Sequence, residues 1–391
     1  MMLTLAVENY RSLRDLVMPL TRLNIVTGAN GSGKSSLYRA LRLLADAARN
    51  GAVGALAREG GLPSTLWAGP QAVTRPAGAG RVTIGRSGEP VGLRLGFGGD
   101  DFGYAIDFGL PAGGDFDDSM FRLDPEIKRE VVWGGPVLRL STVLVDRHNG
   151  VVTLGRGHRS TRGFPIRLFD SMLTEFPDPQ VAPELWRVRE RIRSWRFYDH
   201  FRTDAGAPAR TPQIGTRTTV LGADGADLAA AIETIREIGD RELLNMAVDN
   251  AFPGSRVAVT EYNGRFELQL HQPGLLRPLT AAELSDGTLR YLLLVAALLT
   301  PRPPELMVLN EPETSLHPDL LAPLGSLIAT AAQHSQLIVV SHAHTLIAAA
   351  EAAAAELDID TTAIELVKND GETLIDGQKF LDRPAWFWPE R

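Results

Sequence analysis

Apolar positions alternate at the start of the chain, through Leu3-Thr4-Leu5-Ala6-Val7, and then collect in a second run at Leu23-Asn24-Ile25-Val26. Period-two alternation predicts strands in both places. A glycine-rich turn follows, and Leu37, Ala40, Leu41, Leu44 and Ala48 recur at helical spacing, so the order is strand, glycine loop, helix. Val91, Leu93, Leu95 and Phe97 and then Tyr104, Ile106 and Phe108 alternate on either side of Gly98-Gly99-Asp100-Asp101, which predicts an antiparallel pair. Asn149-Gly150, Asn263-Gly264 and Asp370-Gly371 each divide two apolar runs and tolerate positive φ, so three more hairpins are expected. Helical spacing predicts helices over 183–196, 226–238, 240–250, 287–299 and 319–333, with 348–356 as the end of another. Residues 50–90, rich in Gly, Ala and Pro, read as surface loops. No internal repeat is visible, and the two heptads at 183–196 are too few for a long coiled coil.

Composition narrows the class. The chain has 391 residues, of which 44% are apolar, enough for at least one large core and two to three domains. It has no cysteine, which excludes disulfides, thiol catalysis, thiolate zinc sites and cysteine-ligated clusters. The longest apolar run, Leu292 to Leu299, falls far short of the roughly 20 residues that a membrane span needs, so no membrane insertion is expected. Glu8 interrupts the apolar run that a signal peptide requires, and a cytoplasmic address is the simplest expectation. The net charge of -7 hides an asymmetry: residues 120–220 hold 17 Lys and Arg against 11 Asp and Glu, while the rest holds 23 against 36.

Four segments carry chemistry. Gly28-Ala29-Asn30-Gly31-Ser32-Gly33-Lys34-Ser35 is a complete GxxxxGK[ST] between a strand and a helix. Its glycines let backbone N–H groups turn inward around phosphate, Lys34 can reach the β- and γ-phosphates, and the Ser35 hydroxyl can join Mg²⁺. Leu306-Met307-Val308-Leu309-Asn310-Glu311-Pro312 is an apolar strand ending in an acid, which makes Glu311 a candidate general base. Leu284-Ser285-Asp286-Gly287-Thr288 opens an apolar helix with a cap residue, a further anion-binding helix start or a plain cap. Val339-Val340-Ser341-His342 ends a buried strand in a histidine, which on its own is more often structural than catalytic. In Trp186–Arg217, Arg187, Arg189, Arg191, Arg193, Arg196, Arg202, Arg210 and Arg217 interleave with Trp186, Trp195, Phe197, Tyr198 and Phe201. That mixture suits phosphate contact and base stacking, and equally a solvated Arg face over an aromatic core stripe.

With Asn9-Tyr10-Arg11-Ser12 ahead of LNIVTGANGSGKSS, then LSDGTLRYLLL, LNEPETSLHP and VVSHAHTL, the sequence resembles ABC-type ATPases of the SMC/RecF-like branch. More closely it resembles stand-alone bacterial predicted ATPases of the AAA15/AAA_21 type. The resemblance implies an α/β fold: an ABC-type P-loop head with a mixed central sheet, flanking helices and an antiparallel β lobe. It also implies a long α+β insertion between Walker A and the signature motif. On that basis 1–74 and 216–391 form the head and 75–215 the inserted region. ATP and Mg²⁺ are the implied cofactors, bound by Gly28 to Ser36 with Arg11 nearby, and by Ser285, Asp286 and Gly287 of a second chain in a head-to-tail homodimer. Glu311, His342 and Lys34 are the implied catalytic residues, and Ser35, Asn310 and a Q-loop Gln71 the implied metal ligands. Asn310 departs from the usual Walker B aspartate. Two unit charges 4 Å apart interact by about 4 kcal/mol at an effective dielectric of 20, so losing a charge there is expected to weaken Mg²⁺ binding and slow turnover. The expected role is on DNA, in repair or defence, through Arg187, Arg189, Arg191, Arg193, Arg196 and Arg202. The alternatives are a nucleotide-gated switch for a separate effector protein and, less favoured, a transporter ATPase subunit, against which the offset of 249 positions from Ser35 to Leu284 counts.

Overall fold

The computed structural model describes residues 1–49, 51–69, 92–111, 120–155, 163–175 and 178–391. The chain divides into two units, one made of Met1–Leu20, Gly28–Arg193 and Glu365–Arg391, the other of Thr21–Thr27 and Ser194–Ile364. The second unit is built on a parallel sheet. Its strands follow the order Arg196–Tyr198, Leu306–Asn310, Gln336–Val340, Leu23–Thr27. Strands that are buried on both faces read as unbroken apolar runs, and Leu306-Met-Val-Leu and Leu337-Ile-Val-Val do so. The helix Asp286–Leu298 is buried almost all round among them, and Leu321–Ala332 and His344–Glu356 complete the same core. A smaller antiparallel sheet carries the Asn263-Gly264 hairpin, with Tyr262 opposite Arg265.

The first unit is dominated by an eight-stranded antiparallel sheet, in the order Leu13–Pro19, Met2–Tyr10, Leu93–Gly99, Phe102–Gly109, Glu126–Gly134, Val143–His148, Val151–Leu154, Gly163–Pro165. The hairpins at Gly98–Asp101 and Asn149-Gly150 lie within this sheet, and the one at Asp370-Gly371 joins Thr361–Asn369 to Glu372–Ile375. A third strand, Leu13–Pro19, lies between the two that the apolar pattern singles out. The turn before it is made by Asn9 and Arg11 at φ of 60° and 52°, a left-handed turn without Gly or Pro to announce it. The segment ending in Trp386-Phe387-Trp388 docks on this unit. Trp386 meets Trp133 edge-on at 5.7 Å and Trp388 at 5.1 Å, and Arg391 pairs with Asp107 at 2.7 Å.

One charge pair is sealed inside the sheet. Arg147 and Glu130 have fully buried side chains 3.2 Å apart. Arg147 also donates to the carbonyls of Asn149, Arg167, Leu168 and Asp170, and Glu130 accepts from the hydroxyls of Tyr104 and Ser171 and from the Met172 N–H. Burial, with the Glu130 carboxylate beside it, pushes the Tyr104 phenol far above its ordinary range. Every donor has an acceptor, so the pair ties 167–172 to the sheet at little net cost. Removing one partner strands the other. Arg147→Met is expected to cost about 3–5 kcal/mol in urea unfolding; a loss below about 1 kcal/mol would show that the pair does not hold this segment.

Candidate nucleotide site

The glycine loop lies in the first unit, at the start of the helix Lys34–Arg49. Gly33 has φ of +116°, and a Cβ there would come within 2.1 Å of Thr373 Oγ1, so only glycine fits. Thr373, fully buried, donates its hydroxyl to the Ser32 carbonyl at 2.7 Å and shares a bond with Ser12 Oγ at 2.8 Å. Its own N–H donates to the Ser12 carbonyl at 2.8 Å. The loop is therefore braced by a hairpin that arrives some 340 residues later. Lys34 is buried, with its ammonium on the carbonyls of Gly28 and Ala29. Among the described residues, the N–H groups of Gly31, Gly33, Lys34, Ser35 and Ser36 have no protein acceptor. A ring of free N–H donors at a helix start, closed by an ammonium, fits a phosphate chain.

The Walker B and histidine segments lie in the second unit, and sheet register aligns them. Val26, Val340 and Asn310 form one row across three parallel strands. Past the row, Ser341 N–H donates to Val26 O at 3.1 Å and Glu311 N–H to Val340 O at 2.8 Å. The strands thus end together, and the chain leaves the row into Glu311, into His342 and, after Thr27, into the glycine loop. Glu311 sits at φ of 48°, a left-handed conformation that costs a glutamate about 1 kcal/mol or more. Its side chain is half-buried and Asn310 likewise. The Ser35 hydroxyl, in the first unit, and the Asn310 side-chain oxygen, in the second, each have no protein partner among the described residues, and each is a neutral oxygen, which attracts a hard cation less than a carboxylate does.

Ser285 caps the signature helix, its Oγ accepting from Thr288 N–H at 3.1 Å. A Cβ on Gly287 would stand 3.0 Å from the Ser315 carbonyl, so the signature turn abuts the 315–317 turn of its own chain. Arg210 fixes this turn. Its buried guanidinium donates to the carbonyls of Thr203, Ala281, Ala282 and Leu284 and meets Asp286 at 2.6 Å. The sequence offered no sign of this, because its partners are backbone carbonyls about 70 positions away.

Arg11, expected beside the nucleotide, pairs with Glu59 at 2.7 Å, and the same carboxylate accepts from Tyr10 at 2.6 Å. Gln71 lies outside the described residues. In the Arg-rich segment, the rings form the core stripe that was the alternative to base stacking: Trp195, Phe197, Tyr198 and Phe201 are buried, and of these rings only Trp186 is exposed. Arg191 pairs with Asp101, Arg202 with Asp204, and Arg189 and Arg193 lie against Glu190, while Arg187 has no acidic partner among the described residues.

A family model, AAA_21, described as "AAA domain, putative AbiEii toxin, Type IV TA system", matches residues 23–133 and 163–348. No curated protein matches the chain. Among solved structures, the Smc head bound to the C-winged helix domain of ScpA aligns with 96% of this chain and 97% of its own, at 14% identity and a TM-score of 0.52, which shows a shared fold. The SMC head domain from Thermotoga maritima aligns at 15% identity, a TM-score of 0.49, and 97% and 99% coverage. The Smc head from Pyrococcus furiosus, with an extended coiled coil and bound to the C-terminal domain of ScpA, aligns at 12%, 0.47, and 96% and 95%.

Replacing Arg210 tests its grip on the signature turn. Arg210→Met is expected to lower unfolding free energy by about 2–4 kcal/mol, since several buried carbonyls lose a charged donor. Asp286→Asn, at a largely exposed carboxylate, is expected to cost less than about 1 kcal/mol. Equal losses in urea titrations would contradict this division.

Proposed function

We propose, for a chain that belongs to the AAA_21 family of ATPase domains, that it hydrolyses Mg-ATP slowly and that ATP joins two copies head to tail. The observation that carries this reading is the row Val26, Val340, Asn310: one sheet edge sends out the acid, the histidine and the strand that runs into the glycine loop. Phosphates would lie on the N–H groups of Gly31 to Ser36, with Lys34 turning from the loop carbonyls to the substrate. Glu311 takes the proton of the attacking water, and the left-handed backbone at this residue sets the direction in which its carboxyl leaves the strand. Ser35 and Asn310 would hold Mg²⁺, which when bound neutralises phosphate charge. The exposed signature turn, Ser285 to Gly287, offers a capped helix start to the γ-phosphate of the partner copy, so binding energy for ATP becomes binding energy for the dimer. His342, exposed at the strand end, contacts the same phosphate. DNA, the partner first expected, keeps only the phosphate half of its argument, since the stacking rings are core. A nucleotide-gated switch acting on an effector protein remains the second reading, and Asn310 is the residue that favours it.

Two experiments test the reading. Light scattering of Glu311→Gln with Mg-ATP is expected to show twice the 42.4 kDa chain mass, falling back when ATP is removed. A single-chain mass at micromolar protein under ATP would end the sandwich model. Asn310→Asp restores the missing charge, and the Mg²⁺ concentration for half-maximal ATP binding is expected to fall about tenfold or more. No change would mean that Asn310 does not serve the metal.

A further inference from the structure

Glu313 stands two residues beyond the proposed base, and neither phosphate nor metal binding accounts for it. Its side chain is only 8% exposed. One carboxylate oxygen, Oε1, accepts from the Ser341 hydroxyl at 2.8 Å and from the His342 N–H at 2.9 Å, and lies 3.3 Å from His342 Nδ1. The Ser341 oxygen in turn accepts from Ala343 N–H at 3.1 Å. The histidine turn is therefore wrapped around this carboxylate. The other oxygen, Oε2, is buried without a partner. On the signature helix, the Arg290 guanidinium is also buried, with Nε unpartnered and Nη2 at 3.4 Å from the carbonyls of Asp199 and Glu311. Burial pushes this guanidinium below its ordinary range, and the Glu313 charge, then Asp199, act against that. A buried carboxylate with one oxygen fully engaged and one idle is costly, so its presence asks for a reason beyond packing.

The His342 ring supplies the reason. The side chain is 62% exposed, so packing does not fix the ring, and the Glu313 carboxylate lies 3.3 Å from its Nδ1. We propose that Glu313 is a positioning residue, holding the Ser341-His342 turn and keeping Nδ1 of His342 against its carboxylate so that the Nε2 edge of the ring is the one turned toward the substrate phosphate. The carboxylate belongs to the Walker B turn and the histidine to the next strand, so one side chain locks the two loops together. This rests on the ATPase reading above for its function, though not for its geometry.

A pair of measurements on the full chain tests it. In hydrogen exchange, Glu313→Ala is expected to speed exchange of the His342 amide by about tenfold or more, while Glu313→Gln, which keeps an acceptor oxygen, stays within about threefold of wild type. An unchanged His342 amide in Glu313→Ala would overturn the proposal. In steady-state hydrolysis, Glu313→Ala is expected to lower kcat about tenfold or more with KM for ATP within about twofold, and Glu313→Ala with His342→Ala is expected to be no slower than His342→Ala alone. Losses that multiply, or a loss confined to KM, would show that Glu313 does not act through His342. A wild-type chain that releases no phosphate would sink the ATPase reading instead, and the exchange experiment would still decide whether Glu313 holds the turn.

Discussion

Parallel register is the constraint on which the rest depends. Residues paired across parallel strands leave the sheet at the same edge, so Val26 beside Val340 beside Asn310 fixes where three polar segments begin. The apolar side chains of these strands, buried on both faces, make a slip of register expensive. Chemistry is thus placed by residues that take no part in it. A strained residue at the exit, Glu311, is held by its N–H bond to Val340 and by the turn bond from Thr314 N–H.

Buried charged side chains do the second part of the placing, each by gathering backbone groups of irregular segments. Arg147 gathers 167–170 in the first unit, and Arg210 gathers 281–284 in the second. Both have guanidinium forks, which can serve several carbonyls at once, a task that lysine geometry does not suit. Glu313 is the acidic counterpart, gathering N–H and O–H donors of the histidine turn. Arg210 and Glu313 thus fix turns in which sequence motifs reside, whereas Arg147 fixes a segment that carries none.

Local features were legible in the sequence and distant ones were not. The glycine loop could be read because backbone geometry dictates its residue types, and three Asn-Gly or Asp-Gly hairpins because φ does. The AAA_21 family and the SMC-head type of fold followed from four motifs in order. Thr373, which braces the loop, could not be read, since a threonine in a hairpin gives no sign of what it will meet. Arg210 was grouped with a run of surface arginines when its partners are carbonyls of the signature turn. Phe197 and Tyr198 resembled stacking rings because a three-residue strand is too short for period-two alternation to show, and they are core beside Val308 and Leu309.

The function proposed for this chain turns on Glu311 acting as the base for ATP hydrolysis. Single-turnover hydrolysis of Mg-ATP by the wild-type chain and by Glu311→Gln tests it most directly. Wild type is expected to release phosphate measurably, and the variant at a rate lower by about a hundredfold or more, with ATP binding retained. Equal rates in the two proteins would contradict it.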